Sequence, residues 1–136
     1  MYLFKEDMAR GPIPNEVVRF ILLGIPSVPY LEAMLLLRSE TGHAWDAKRA
    51  SQRLYLAESA AQSILDELSS KGILEAVDQH KQLYRYHPNS DELAQVIDLL
   101  AKVYAENLIE VTNLIHSKTN KKAQQFADAF LWKKDS

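Results

Sequence analysis

The sequence predicts a mainly helical fold carrying one small β-hairpin. Three observations predict it. Apolar residues recur at helical spacing through most of the chain, one interval from Ile73 to Tyr86 alternates with period two, and the turn-forming glycines and prolines fall at the ends of these segments. A length of 136 residues suits one domain with an appended helical arm. Hydrophobic residues at 47% and charged residues at 25% match an ordinary soluble globular chain.

Residues 1–14 show no clear period and are read as an N-terminal arm. Asn15 is expected to cap a first helix, Glu16 to Leu23, stopped by Gly24 and Pro26. Ser27 then opens a second helix, Val28 to about Ser39, with Pro29 tolerated in its first turn. Leu31 and the run Met34 to Leu37 make that helix apolar nearly all round, so it reads as a buried spine ended by Thr41 and Gly42.

Asp46 caps a short helix, Ala47 to Leu54, and Tyr55-Leu56 make a turn into the next, Glu58 to Ser70. Ala61, Ile64, Leu65 and Leu68 fall on the inner face of that helix, and Gly72 supplies the left-handed residue that closes it. Ile73 to Val77 and Leu83 to Tyr86 are the two strands, with Asp78 to Gln82 as a polar tip. Helix, tight turn, helix and hairpin in this order are the layout of a winged helix-turn-helix, residues 15–88.

Asn89 or Ser90 starts a long helix whose pattern runs from Asp91 to about Ser117, roughly 40 Å at 1.5 Å per residue. Leu93, Ile97, Leu100, Tyr104, Leu108, Val111 and Ile115 form a stripe wider than a small domain covers, so residues 89–136 are expected to dimerise the chain. A last short helix would add Phe126 and Phe130. The segment from His116 to Ser136 carries five lysines and two aspartates beside its aromatics. It reads as a helix folding back on the long helix or a partner subunit, with a membrane-surface or nucleic-acid element as the alternative.

The chain resembles a broad class of bacterial winged-helix proteins with the layout of the MarR-type regulators. It is more similar to a set of bacterial winged-helix proteins that share the segments SVPYLEAMLLL, VTNLIHSK and FADAFLWKK and a Trp opening the turn unit. The resemblance covers about Glu16 to Lys134 and identifies a family, not an activity. It implies DNA binding as a dimer through the second helix of the turn unit. The groove-facing positions would be Ser59, Gln62, Ser63 and Asp66, with hairpin contacts from His80, Lys81 and Arg85. The departure is that such a helix usually carries Arg, Lys or Asn, whereas this one carries Glu58, Asp66 and Glu67.

On chemistry alone, Gln62 can pair two-pronged with adenine, and Ser59 and Ser63 can bond bases or phosphates. Lys48, Arg49 and Arg53 are positioned on the preceding helix to hold phosphates. Charge argues the other way. Net charge is -2, and Val28 to Ser90 holds seven basic residues against eight acidic ones, so phosphate neutralisation is limited. The alternative is therefore a winged helix that meets a basic protein partner without DNA.

No cysteine is present, which excludes disulfides and thiolate metal sites and fits a reducing cytoplasm. His43, His80, His87 and His116 form no metal-ligand spacing, and no Gly-x-Ser-x-Gly elbow or phosphate-cradling loop occurs. The sequence thus predicts no metal, no cofactor and no catalytic residue. The acidic, proline-containing N-terminus lacks the pattern of a signal peptide, and the longest apolar runs fall far short of a membrane span. The expectation is a cytoplasmic homodimer that binds double-stranded DNA and regulates transcription.

Overall fold

The structure is a computed structural model that describes residues 13–118. In chain order it contains α1 (Asn15–Gly24), α2 (Val28–Ser39), α3 (Ala47–Leu54), α4 (Glu58–Ser70), β1 (Leu74–Asp78), β2 (Leu83–Tyr86) and α5 (Asp91–Glu106). A further helical segment, α6, covers 108–118. The fold is mainly helical with a two-stranded antiparallel hairpin, an order compatible with a winged-helix layout. Among the described residues no single helix is long and apolar enough to cross a membrane. Phe126 and Phe130 lie outside the described residues, as does most of the expected arm.

Local chemistry sets the helix ends. Asp46 Oδ1 accepts the backbone N–H of Arg49 at 2.8 Å, so α3 begins with a side-chain cap. It ends at Tyr55, which adopts φ 57, ψ 44, the left-handed conformation that a bulky side chain rarely takes. The Tyr55 and Leu56 N–H groups both donate to Ser51 O, and the chain reverses there into α4. Helix α4 closes with Gly72 at φ 79: Gly72 N–H bonds Ser69 O at 3.0 Å and Ile73 N–H bonds Leu68 O at 3.0 Å. These two bonds are the paired closure that a left-handed glycine permits. A Cβ at Gly72 would collide with the Asn89 side-chain amide.

Two ends differ from the sequence expectation. Helix α1 starts at Asn15 itself, with Pro14 in the capping position at φ -56, ψ 144 and no side-chain capping bond. Pro14 O accepts the N–H groups of Val17 and Val18, so the backbone serves where the Asn15 side chain was expected to. Strand β1 begins one residue late, at Leu74, and a bulge between Ala76 and Asp78 leaves Val77 without a cross-strand partner and 51% exposed. Trp45 adds an antiparallel bridge to Tyr84, with N–H···O bonds of 2.7 and 2.8 Å in both directions. The backbone just before α3 is thereby tied to the hairpin.

The described residues divide into two compact units, 28–98 and a second made of 13–27 with 99–118. In the first, α2 packs on α3, α4 and β2, and Tyr30, Leu31, Met34, Leu37, Trp45, Leu65 and Leu68 are fully buried. Helix α2 is the predicted spine. Helix α1 groups with the C-terminal helical segments. Val17, Ile21 and Ile25 are fully buried in that unit, and Lys118 Nζ lies 3.4 Å from Ile25 O.

The long C-terminal helix is not continuous. It breaks at Asn107, which is 4% exposed and donates from Nδ2 to Val103 O at 3.3 Å while its own backbone N–H bonds the same carbonyl at 2.7 Å. An asparagine side chain competes in this way with the helical ladder, which restarts with Val111 N–H on Asn107 O. The residues of the stripe expected to dimerise differ in exposure. Ile97, Leu100, Val111 and Ile115 are 0% exposed within a single chain. Leu93 and Tyr104 are partly buried, whereas Leu108 and its neighbour Ile109 are 54% and 68% exposed.

Candidate nucleic-acid interface

The residues singled out on α3, α4 and the hairpin divide into two groups. One group is engaged by partners of its own unit. Arg49 and Arg53, one helical turn apart on α3, lie over the buried Trp45 ring at 4.4 and 5.6 Å from its centre. Both reach Glu40, just after α2, with Arg53 Nη2 at 2.7 Å and Arg49 Nη2 at 3.7 Å. The hydrogen bond from Arg53 holds the Glu40 carboxyl below its ordinary range, against the opposing effect of burial. Arg85 pairs across the hairpin with Glu75 at 2.6 Å, directly opposite in the register, and likewise holds that carboxyl low. Three of the five expected phosphate-binding cations are thus neutralised by carboxylates of their own unit.

The other group converges. Lys48, in the first turn of α3, and Lys81, at the tip of the hairpin, line one open recess of about 510 Å³ together with Ser59 and Gln62 of α4. Asp46, Glu58 and Gln82 complete its polar rim. Both lysines are exposed, and among the described residues neither has an ion pair within 4.0 Å. Asp46 is occupied as the cap of α3, which leaves Glu58 as the acid that opposes them. Ser63 is exposed one residue beyond Gln62 on α4 and does not line the recess, and His80 is exposed at the hairpin tip.

Gln62 is not a free side chain. Its Nε2 donates to Asp66 Oδ1 at 2.9 Å, and the Tyr84 hydroxyl donates to the same oxygen at 2.9 Å. Burial, then the hydrogen bond and charge of Asp66, push the Tyr84 phenol up, with the Gln62 amide pulling the other way. Asp66 is therefore a hydrogen-bond partner of Gln62, and a two-pronged adenine contact would have to share Nε2 with it. Glu67 is paired with Lys71 at 3.1 Å.

Sequence reasoning missed Glu40, Trp45 and Tyr84 as participants. Glu75 was within reach, since aligning the two strands sets it opposite Arg85. A smaller recess of about 330 Å³ between Val28, Pro29, Glu32 and the Arg53–Leu56 turn holds one cation, already bonded to Glu40, and one acid. Among the described residues no group of three His, Asp or Glu side chains is placed to hold a metal ion. Comparison with known proteins found no matching family model, no matching curated protein and no matching solved structure.

Proposed function

We propose that the chain is a cytoplasmic winged helix-turn-helix regulator that binds double-stranded DNA as a homodimer, with α4 entering the major groove and the β1–β2 hairpin as the wing. The observation that carries this reading is the convergence of Lys48, Lys81, Ser59 and Gln62 on one open recess at the start of α4. Lysines flanking a helix N-terminus suit phosphates on either side of a groove, and Ser and Gln suit base edges between them. Two unpaired lysines per subunit imply about four phosphate contacts per dimer, at a slope of roughly -0.9 each in log affinity against log salt. Affinity for a mixed-sequence duplex should then fall about a hundredfold between about 50 and 200 mM salt. Lys48→Glu with Lys81→Glu should abolish it. An anisotropy titration reads both, and an unchanged affinity in the double variant would remove the recess from the account.

The dimer contact would use Leu108 and Ile109, since the neighbouring stripe residues are buried. Light scattering at micromolar concentration is expected to give twice 15.5 kDa, and Leu108→Glu with Ile109→Glu to give the monomer. A clean wild-type monomer would contradict the homodimer.

A second reading, a winged helix that meets a basic protein partner, is favoured by the internal pairing of Arg49, Arg53 and Arg85. Exposed Glu58 and Asp66 would then supply the contact. No shift of either mixed-sequence duplex or the DNA around the protein's own gene, at about 50 mM salt where phosphate contacts are strongest, would favour it.

A further inference from the structure

We infer that Asp66 and Tyr84 form a clasp that presents Gln62 to the groove as a hydrogen-bond acceptor, so that the protein selects an amino-bearing base, adenine or cytosine, at one position of each half-site. The inference rests on the DNA-binding reading and deepens it.

An ionised carboxylate only accepts hydrogen bonds. Because Gln62 Nε2 and the Tyr84 hydroxyl both lie 2.9 Å from Asp66 Oδ1, the amide must turn its nitrogen, not its oxygen, toward Asp66. Gln62 and Asp66 are four residues apart, the spacing at which side chains meet on one helix face. No hydrogen bond among the described residues uses Gln62 Oε1, and Gln62 lines the recess with Lys48 and Lys81. The free end of the side chain is thus an acceptor.

The clasp is anchored on fixed backbone. Tyr84 pairs with Ala76 across the hairpin and with Trp45 through an isolated bridge on its other side, so its backbone is held from both sides where its phenol reaches α4. A reading side chain held by a second layer of this kind has little freedom to reorient for a different base. In the major groove only adenine and cytosine offer amino donors, while guanine and thymine offer acceptors that repel a second acceptor. A glutamine without the clasp can turn over and donate, which would admit guanine and thymine.

The experiment is selection from a randomised duplex pool by the full-length wild type and by Asp66→Ala, Tyr84→Phe and Gln62→Ala, each checked for folding by circular dichroism. Wild type is expected to enrich adenine or cytosine about five- to tenfold at one position per half-site, the low end of a good base contact. Gln62→Ala and Asp66→Ala should lose that preference there while other positions stay unchanged, and Tyr84→Phe should weaken it. Selection of the same base at the same strength by both clasp variants, or enrichment of guanine or thymine by wild type, overturns the inference while leaving DNA binding intact. So does a uniform loss of affinity with unchanged base frequencies, the signature of a merely structural role. If wild type enriches nothing, the DNA-binding reading fails and the inference falls with it.

Discussion

Trp45→Ala is expected to destabilise the chain by about 3–5 kcal/mol, the cost of emptying a fully buried aromatic site. A domain of this size has about 5–15 kcal/mol in total, so the variant should melt roughly 10–20 °C below wild type. The reason is position as well as volume. The Trp45 ring lies beneath the Arg49 and Arg53 guanidinium groups, while its backbone holds Tyr84 of the hairpin. Trp45→Phe should retain most of the stability, because it keeps an aromatic face and removes an indole N–H that has no hydrogen-bond partner among the described residues. Melting followed by circular dichroism checks both, and a Trp45→Ala midpoint within a few degrees of wild type would contradict the packing described.

Glu40→Gln is expected to produce the largest functional change, a gain. Its carboxylate neutralises Arg49 and Arg53 together, and both guanidinium groups are more than two-fifths exposed. Removing that charge releases two cations on the helix preceding α4, a position suited to the phosphates beside a groove. Affinity for mixed-sequence duplex at about 50 mM salt should rise about tenfold or more, and the salt slope should steepen by about 0.9 for each additional phosphate neutralised. The pair is surface-exposed, so the thermal midpoint should move little. An unchanged salt slope would mean that Arg49 and Arg53 face away from the nucleic acid.

The turn unit was legible because its signals are local. The bounds of α3 and α4 follow from Asp46 as a cap, a four-residue apolar pattern and Gly72 at the close, and all three appear as read. What sequence could not supply was contact at long range. Glu40 reaches Arg53 thirteen positions away and Tyr84 reaches Asp66 eighteen away, and no periodicity encodes either pair. Those two contacts decide which polar groups near α4 are available, so the charge of the face could not be judged by counting residues. Tyr55 adopts a left-handed conformation without the glycine or asparagine that would have announced it. The long helix failed for a different reason. Its apolar stripe continues past Asn107, where the helix breaks without any change in the pattern. The same stripe also reads alike whether its partner is a second chain or the chain itself, so periodicity alone does not foretell that Ile97, Leu100, Val111 and Ile115 are buried within one chain.

The central claim, that the recess at the start of α4 is the DNA-binding face, is tested most directly by mapping backbone and side-chain nuclear magnetic resonance shifts of the full chain during titration with duplex at low salt. The account predicts that the largest perturbations fall on Lys48, Ser59, Gln62 and Lys81, with the Gln62 side-chain amide among them. Shifts absent at saturating duplex, or confined to residues away from α4 and the hairpin, would contradict it.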